Sequence, residues 1–180
     1  RQERGDLRLQ ANDFIGWSRG TRFYPLLYML TRVGHALDWE EGIELRDGIL
    51  GKLSRLELHH VFPKARLYDA GYDRPMVNAL ANFTFLTQDT NLKVSDRDPA
   101  KYLARYAERD PQLIRSHWIP LDPELWRIER YPDFLAARRE LLAAAANDFL
   151  DRLGAGLIPQ AEPARPVLER EVILVPAGSR

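Results

Sequence analysis

Glu57, His59, His60, Asn82 and Asn91 lie close together in the sequence and carry side chains suited to hydrolytic chemistry. An imidazole, with an ordinary pKa of about 6.5, can accept a proton at neutral pH or hold a metal ion. An amide oxygen is a neutral ligand that suits a hard cation such as Mg²⁺ or Mn²⁺. Arg55 to His60 alternates in polarity, which predicts a strand with Leu56 and Leu58 on one face and Glu57 and His59 on the other. Neighbours on a strand point to opposite sides, so His59 and His60 can take separate tasks, one at a metal and one at a water molecule. Glu57, on the His59 side, could bind an ion directly, bind it through water, or orient His59. Plainer readings stand beside these: a histidine pair of the surface or core, a turn-capping Asn82, and a helix N-cap at Asn91.

The whole stretch from Leu56 to Asn91 reads LELHHVFPKARLYDAGYDRPMVNALANFTFLTQDTN. Its order of histidine pair, asparagine and asparagine resembles the HNH nucleases, whose ββα-metal motif is named for such residues. A narrower likeness rests on the histidine pair followed by a hydrophobic residue, Phe and Pro, then VNALANFTFLTQDTN and DRDPAKYL. In these the chain resembles the C-terminal nuclease domain of GmrSD-like modification-dependent restriction enzymes. The core of the resemblance covers Leu56 to Leu103, and a weaker part, through HWIP, LW, ERY, DFL and ARR, extends it to about Leu153.

The resemblance implies a metal-dependent DNA endonuclease. Phosphodiester hydrolysis needs a base for the attacking water, and a divalent cation to stabilise charge on the phosphoryl group and the leaving oxygen. Carried over, His59 is a metal ligand, His60 the general base, Asn82 the brace of the loop that orients the base, and Asn91 the residue that completes the metal site. Glu57 is the rival for the role of base. Many relatives have Asp where His59 stands. An imidazole there still binds Mg²⁺ or Mn²⁺ but shifts preference toward softer ions such as Ni²⁺ or Zn²⁺. Lys64, Lys93 and Arg97 are the first candidates for DNA phosphates, within a wider basic set of Lys52, Arg55, Arg66, Lys101 and Arg105. The implied partners are double-stranded DNA, modified or phage-derived, and an N-terminal nucleotide-hydrolysing sensor domain. No Gly-rich phosphate loop occurs in this sequence, so the chain reads as the cutting module of an antiphage restriction system. The alternative is a degenerate HNH fold that grips DNA without cutting. Its signature would be a lost base or ligand, and His60 and Asn91 are both present.

Composition narrows the classes. With 180 residues and 45% hydrophobic content, the chain can bury a real core as one domain. Lys+Arg and Asp+Glu balance at 26 each, so any nucleic-acid contact must come from local segregation of charge. The absence of cysteine excludes disulfides, thiol catalysis and Cys-based zinc sites. No apolar run is long enough for a membrane span and no signal-peptide core is present, so a soluble cytoplasmic protein without membrane partners is expected. The chain begins at Arg1 rather than Met, which reads as part of something longer.

The elements that must position these residues are expected to form an α+β, mostly helical domain around the ββα-metal motif, over 1–154 with its core motif at 56–103. Apolar spacing predicts a helix over Phe23–Leu37 with Thr21 as N-cap and His35 near its end. A loop over Asp38–Gly48 and a short apolar run over Ile49–Leu53 follow. Pro63 is expected to end the strand that carries the histidines. A short helix at Ala65–Tyr68, a helical turn at Met76–Leu80 and a strand at Asn82–Leu86 come next. Pro99 starts a helix to about Arg109 with Asp98 as cap. His117, beside Trp118, reads as structural. Another helix opens at Asp122 or Pro123, and the strongest helical signal runs Asp133–Leu153 with Gly154 as C-cap. Arg138 and Arg139 read as surface residues. Residues 155–180 read as a Pro-rich tail in which Val172–Val175 could be a lone strand.

Overall fold

The computed structural model describes residues 8–17, 21, 23–46 and 56–156. Lys52, Arg55, the run Ile49–Leu53 and the proposed tail beyond residue 156, with its strand at Val172–Val175, lie outside the described residues. Within them the fold is α+β and mostly helical, arranged about two strands, β1 (Leu56–His60) and β2 (Phe83–Thr87). The strands pair antiparallel, Leu56 opposite Thr87 and His60 opposite Phe83. This register sets Leu56, Leu58 and His60 on one face with Phe83 and Phe85, and Glu57 and His59 on the other with Thr84 and Leu86. Helix α1 (Tyr24–Val33) covers the first face, where Tyr24 and Tyr28 meet Phe85 edge to face at 5.7 and 5.1 Å. Trp39 packs on the second, 5.7 Å from both His59 and Tyr102. A hairpin this small buries little by itself, and all of β2 is buried only because both its faces are covered.

The remaining helices follow in order. Helix α2 (Lys64–Asp69) and α3 (Arg74–Val77) connect the strands, and α4 (Gln88–Val94) leaves β2 directly. Then come α5 (Pro99–Arg109), α6 (Pro111–Arg115), two 3₁₀ turns and the long α7 (Tyr131–Gly154). One local device recurs. Asp73, Asp98, Asp110 and Asp122 each cap the element that follows, accepting from Met76, Ala100, Gln112 and Glu124 amides, with Pro at the first or second position. The side chain satisfies an otherwise unpaired N–H, and Pro sits where its missing N–H costs nothing. No helix among the described residues is long and apolar enough to cross a membrane.

Several boundaries differ from expectation. The first helix stops at Val33, because His35 takes a left-handed backbone (φ 57°) and Trp118 packs where a Cβ on Gly34 would stand, 2.9 Å away. Thr21 is not the cap; it offers Tyr24 only its backbone oxygen. The turn expected at Met76–Leu80 divides into α3 and a 3₁₀ turn at Leu80–Asn82, so the strand starts at Phe83. Gly154 lies inside α7, and Gly156 takes the left-handed conformation instead (φ 69°).

Arg138 is the largest correction: it is a core residue, fully buried. It follows Phe134 by four residues and precedes Leu142 by four, so it lies in the apolar stripe of α7. Its guanidinium donates to Ala81 O at 2.8 Å and His117 O at 3.0 Å, tying α7 to the turn before β2 and to the loop after α6. Burial draws its pKa down to about 9, which leaves it a cation at neutral pH. His117 is structural. Its Nε2–H donates to Leu37 O at 2.8 Å, and Thr84 Oγ1 donates to Nδ1 at 2.6 Å, so the ring is neutral.

Burial, with the Arg138 charge adding to it, pulls the His117 pKa from 6.5 to about 4. The folded state therefore binds this proton less readily than the unfolded chain does. The stabilising contribution is fully present above about pH 6.5 and is lost as pH falls through about 4. His59, equally buried, follows the same direction. The urea midpoint should drop steadily between pH 7 and pH 4.5; a level midpoint across that window would contradict a neutral buried His117.

Candidate active site

The candidate site forms where β1 runs out into Val61-Phe62-Pro63 and α4 passes alongside. Its position begins with Asp38, a fully buried carboxylate. Asp38 accepts from Thr90 Oγ1 (2.6 Å), Thr87 Oγ1 (2.8 Å) and the amides of Glu40 and Glu41 (3.0 Å each). Burial pushes this carboxyl up, but the hydrogen bonds from Thr90, the Glu41 amide and Thr87 outweigh it and hold the pKa below the usual value. The first turn of α4, capped by Thr87, is thereby fixed to the loop below it.

Asn91 follows within the same helix. It is not an N-cap, since Thr87 occupies that position. Its Nδ2 donates to Glu57 Oε2 at 2.9 Å, which turns its amide oxygen toward His59 Nδ1 at 2.8 Å. In this arrangement Nδ1 carries the His59 proton and Nε2 carries the lone pair. Among the described residues Nε2 is buried without a hydrogen-bond partner, as is Trp39 Nε1 on the ring packed edge to face against it. His59 is 4% exposed, and burial above all lowers its pKa to about 4, so its imidazole is neutral at physiological pH.

His60 faces the other way. Its ring meets Phe83 edge to face at 4.8 Å, and its Nε2–H donates to Asn78 Oδ1 at 3.3 Å. Asn78 is itself oriented by donation to Arg74 O at 3.0 Å. Asn78 thus selects the tautomer with the His60 lone pair on Nδ1. Sequence reasoning missed this residue; four residues before Asn82 in a turn, it shows no pattern of its own.

Asn82 is fully buried and holds the segment that follows His60. It accepts from Phe62 N at 2.7 Å and donates to Phe62 O and Val77 O at 3.0 Å each, while its own carbonyl accepts from Val61 N.

The expected residues are thus only partly gathered. His59, His60, Asn91 and Lys64 border one cleft of about 250 Å³, together with Ser95 and Asp96. Glu57 is set back from it and acts on Asn91. Lys93 points elsewhere, to Glu40 at 3.5 Å, because its place on α4 faces away from β1. Arg97 borders a neighbouring groove.

His59 and Asn91 offer an imidazole and an amide oxygen, donor types that divalent ions accept. They stand 2.8 Å apart, joined by a hydrogen bond through the His59 Nδ1 proton; as adjacent ligands of an octahedron with bonds of about 2.1 Å they would stand ~3.0 Å apart, which requires that proton to move to Nε2. Among the described residues no group of three or more His, Asp or Glu is placed to hold a metal, so water would complete the shell.

Comparison with known proteins gives little beyond this. No family profile matches the sequence, and no solved structure matches it. An uncharacterized protein of Methanocaldococcus jannaschii is 35% identical over 101 residues, which cover 48% of this chain and 17% of that protein. The chain therefore corresponds to a small part of that relative's length.

Replacing Asn82 by Ala strands the Phe62 amide and two buried carbonyls. Each unsatisfied group costs roughly 1–3 kcal/mol, so Asn82→Ala should lose several kcal/mol in urea unfolding, whereas exposed Lys64→Ala should lose almost nothing. Equal stability of the two variants would remove Asn82 from its place as the clamp of this loop.

Proposed function

We propose that this chain is a metal-dependent DNA endonuclease module. The observation that carries the reading is that strand β1, strand β2 and helix α4 bring His59, His60 and Asn91 to one cleft with the two histidines oriented by different partners. The sequence resemblance to the ββα-metal nucleases supports the same conclusion.

In this reading His59 and Asn91 Oδ1 would hold a divalent ion, Mg²⁺ or Mn²⁺, with Ni²⁺ or Zn²⁺ as softer candidates, and His59 would offer Nδ1 to it only after its proton moves to Nε2. The bound ion supplies Lewis-acid stabilisation of the phosphoryl oxygens. Glu57 fixes the Asn91 amide so that its oxygen, not its nitrogen, faces the ion. His60 accepts the proton of the attacking water at Nδ1, the nitrogen that the Asn78 hydrogen bond leaves as the base. Asn82 keeps the chain after His60 from shifting. Lys64, at the rim, offers a charge to the substrate phosphate. By the same resemblance the module serves a modification-dependent restriction system against phage DNA and works beside a sensor domain that hydrolyses nucleotides.

One observation favours a rival. Among the described residues only two side chains are placed to ligate, and His59 is almost wholly buried, which would suit a degenerate fold that binds DNA without cutting it. Nicking of supercoiled plasmid in Mn²⁺ or Mg²⁺, abolished by EDTA, separates the two.

His60→Ala should lower the nicking rate by roughly 10²–10⁴-fold while Mn²⁺ affinity, read by isothermal titration, stays near that of the parent. A His60→Ala protein that cuts at nearly the parental rate would transfer the role of base to Glu57.

Asn91→Ala and His59→Ala should weaken Mn²⁺ binding and nicking together. Asn91→Ala is the cleaner test, because its side chain is only partly buried. Unchanged titration curves in both variants would mean that the ion, if any, is held elsewhere.

A further inference from the structure

Beside the histidine cleft lies a second hollow, of about 330 Å³, between α2, α5 and the turn after α4. Four cationic side chains line it: Arg66 from α2, Arg97 from the turn, and Lys101 and Arg105 from α5. All four are exposed, over a floor that includes the buried Val94, Tyr102 and Tyr106. Among the described residues the only carboxylate in the lining is Asp98, and it is engaged as the cap of α5, accepting from Ala100 N at 3.1 Å. Glu40, beyond the rim, neutralises part of Arg105 at 3.2 Å. The chain as a whole balances 26 basic against 26 acidic residues, so this excess is a local segregation of charge.

The hollow adjoins the candidate active site. Lys64, Ala65, Ser95 and Asp96 border the cleft, and Arg66, Arg97 and Asp98, the next residues of the same two segments, border the groove. Arg66 is held toward this shared wall by donating from Nε to Asp96 O at 2.7 Å. Lys64 continues the line of positive charge into the cleft.

We infer that this groove seats backbone phosphates of duplex DNA next to the phosphate in the histidine cleft; the inference rests on the nuclease reading for the position of that phosphate. A small anion is a poorer occupant. Its sites need donors converging on one point, whereas these cations are spread over two helices and a turn, with Lys101 and Arg105 a helical turn apart on one face, about 5–6 Å between Cβ atoms. Exposed, separated cations along an open groove match a polyanion, whose binding gains from release of counterions.

The test uses the full chain and a fluorescein-labelled 20-base-pair duplex in EDTA, so that binding is read without cleavage. Anisotropy titrations from 50 to 300 mM KCl would compare the parent with the triple variant Arg66→Gln, Arg97→Gln, Lys101→Gln. Arg127→Gln, an exposed substitution away from the groove, serves as the control. The triple variant should bind at least tenfold more weakly at 100 mM KCl, and its slope of log K against log salt should shrink by roughly 0.9 for each phosphate that the protein no longer neutralises. The control should keep the parental slope. If the triple variant melts early, the single outward substitution Lys101→Glu gives the same comparison.

A parent that fails to bind the duplex overturns the inference, as does a triple variant with the parental slope. Displacement of the duplex by inorganic phosphate at constant ionic strength would also overturn it, since the groove would then be a small-anion site. Plasmid nicking is scored separately. A parent that nicks while the groove variant keeps its slope removes the groove and leaves the nuclease reading; a triple variant whose slope collapses, beside a parent that never nicks, does the reverse.

Discussion

The structure depends on the way Asn82 closes its amide on the backbone of two other segments. A two-stranded ladder cannot define its own ends; beyond His60 and Phe83 it continues by one backbone bond, from Val61 N to Asn82 O. The Asn82 side chain supplies a further hold, bonding both polar groups of Phe62 and the carbonyl of Val77. All of these groups are buried, so each bond is worth more than its surface equivalent, and its loss would leave partners that water cannot reach. The direction in which His60 leaves β1 is set by that clamp. Phe62, fixed by it, in turn packs against Tyr131 and Phe134 of α7 at 4.9 and 4.7 Å.

A second buried polar system sits one layer below. Arg138 reaches the carbonyl immediately before Asn82 and the carbonyl of His117, while His117 bridges Leu37 and Thr84. An arginine in a core is costly unless its donors are used. Here two carbonyls from separate loops accept from its two terminal nitrogens, while Nε stays buried without a partner among the described residues, and the return is that α7, β2 and the loop after α6 have one mutual arrangement. The aromatic layer of Trp39, Tyr102 and Tyr106 fills the space around this network. Tyr102 adds one more tie by donating to the carbonyl of Val61, again in the segment after the histidines.

The two histidines show how one strand can divide labour. The pleat sends them to opposite faces, and the faces differ in kind. His59 enters a dry region behind Trp39, where burial keeps it neutral and Asn91 meets its Nδ1. His60 stays half-buried against Phe83, with Asn78 fixing its tautomer. The charge layout is divided in the same way: a chain with no net charge gathers Lys64, Arg66, Arg97 and Lys101 along one edge of these elements, while Lys93 and Arg105 are partly neutralised by Glu40.

Local features of the sequence determined a good deal by themselves. Alternation at Leu56–His60 and the β-prone FTFL run specified the two strands to within a residue, because side-chain direction in a strand has a period of two. Asp-Pro pairs specified where α5 and the turn at Pro123 begin, because a cap and a fixed φ act within a few residues. The order of His59, His60, Asn82 and Asn91 was enough to nominate the cleft. Tertiary structure alone decided what surrounds them. Asp38 reaches Thr87 and Thr90 across some fifty positions, and Arg138 reaches Ala81 across 57. Asn78 meets His60 only because α3 folds back against the end of β1. Lys93, near the motif in sequence, turns away because successive residues on a helix are about 100° apart. Partners brought together by chain folding leave no spacing to read. Whether a polar side chain is buried, and so whether a hydrogen bond to it matters, depends on which other elements cover it.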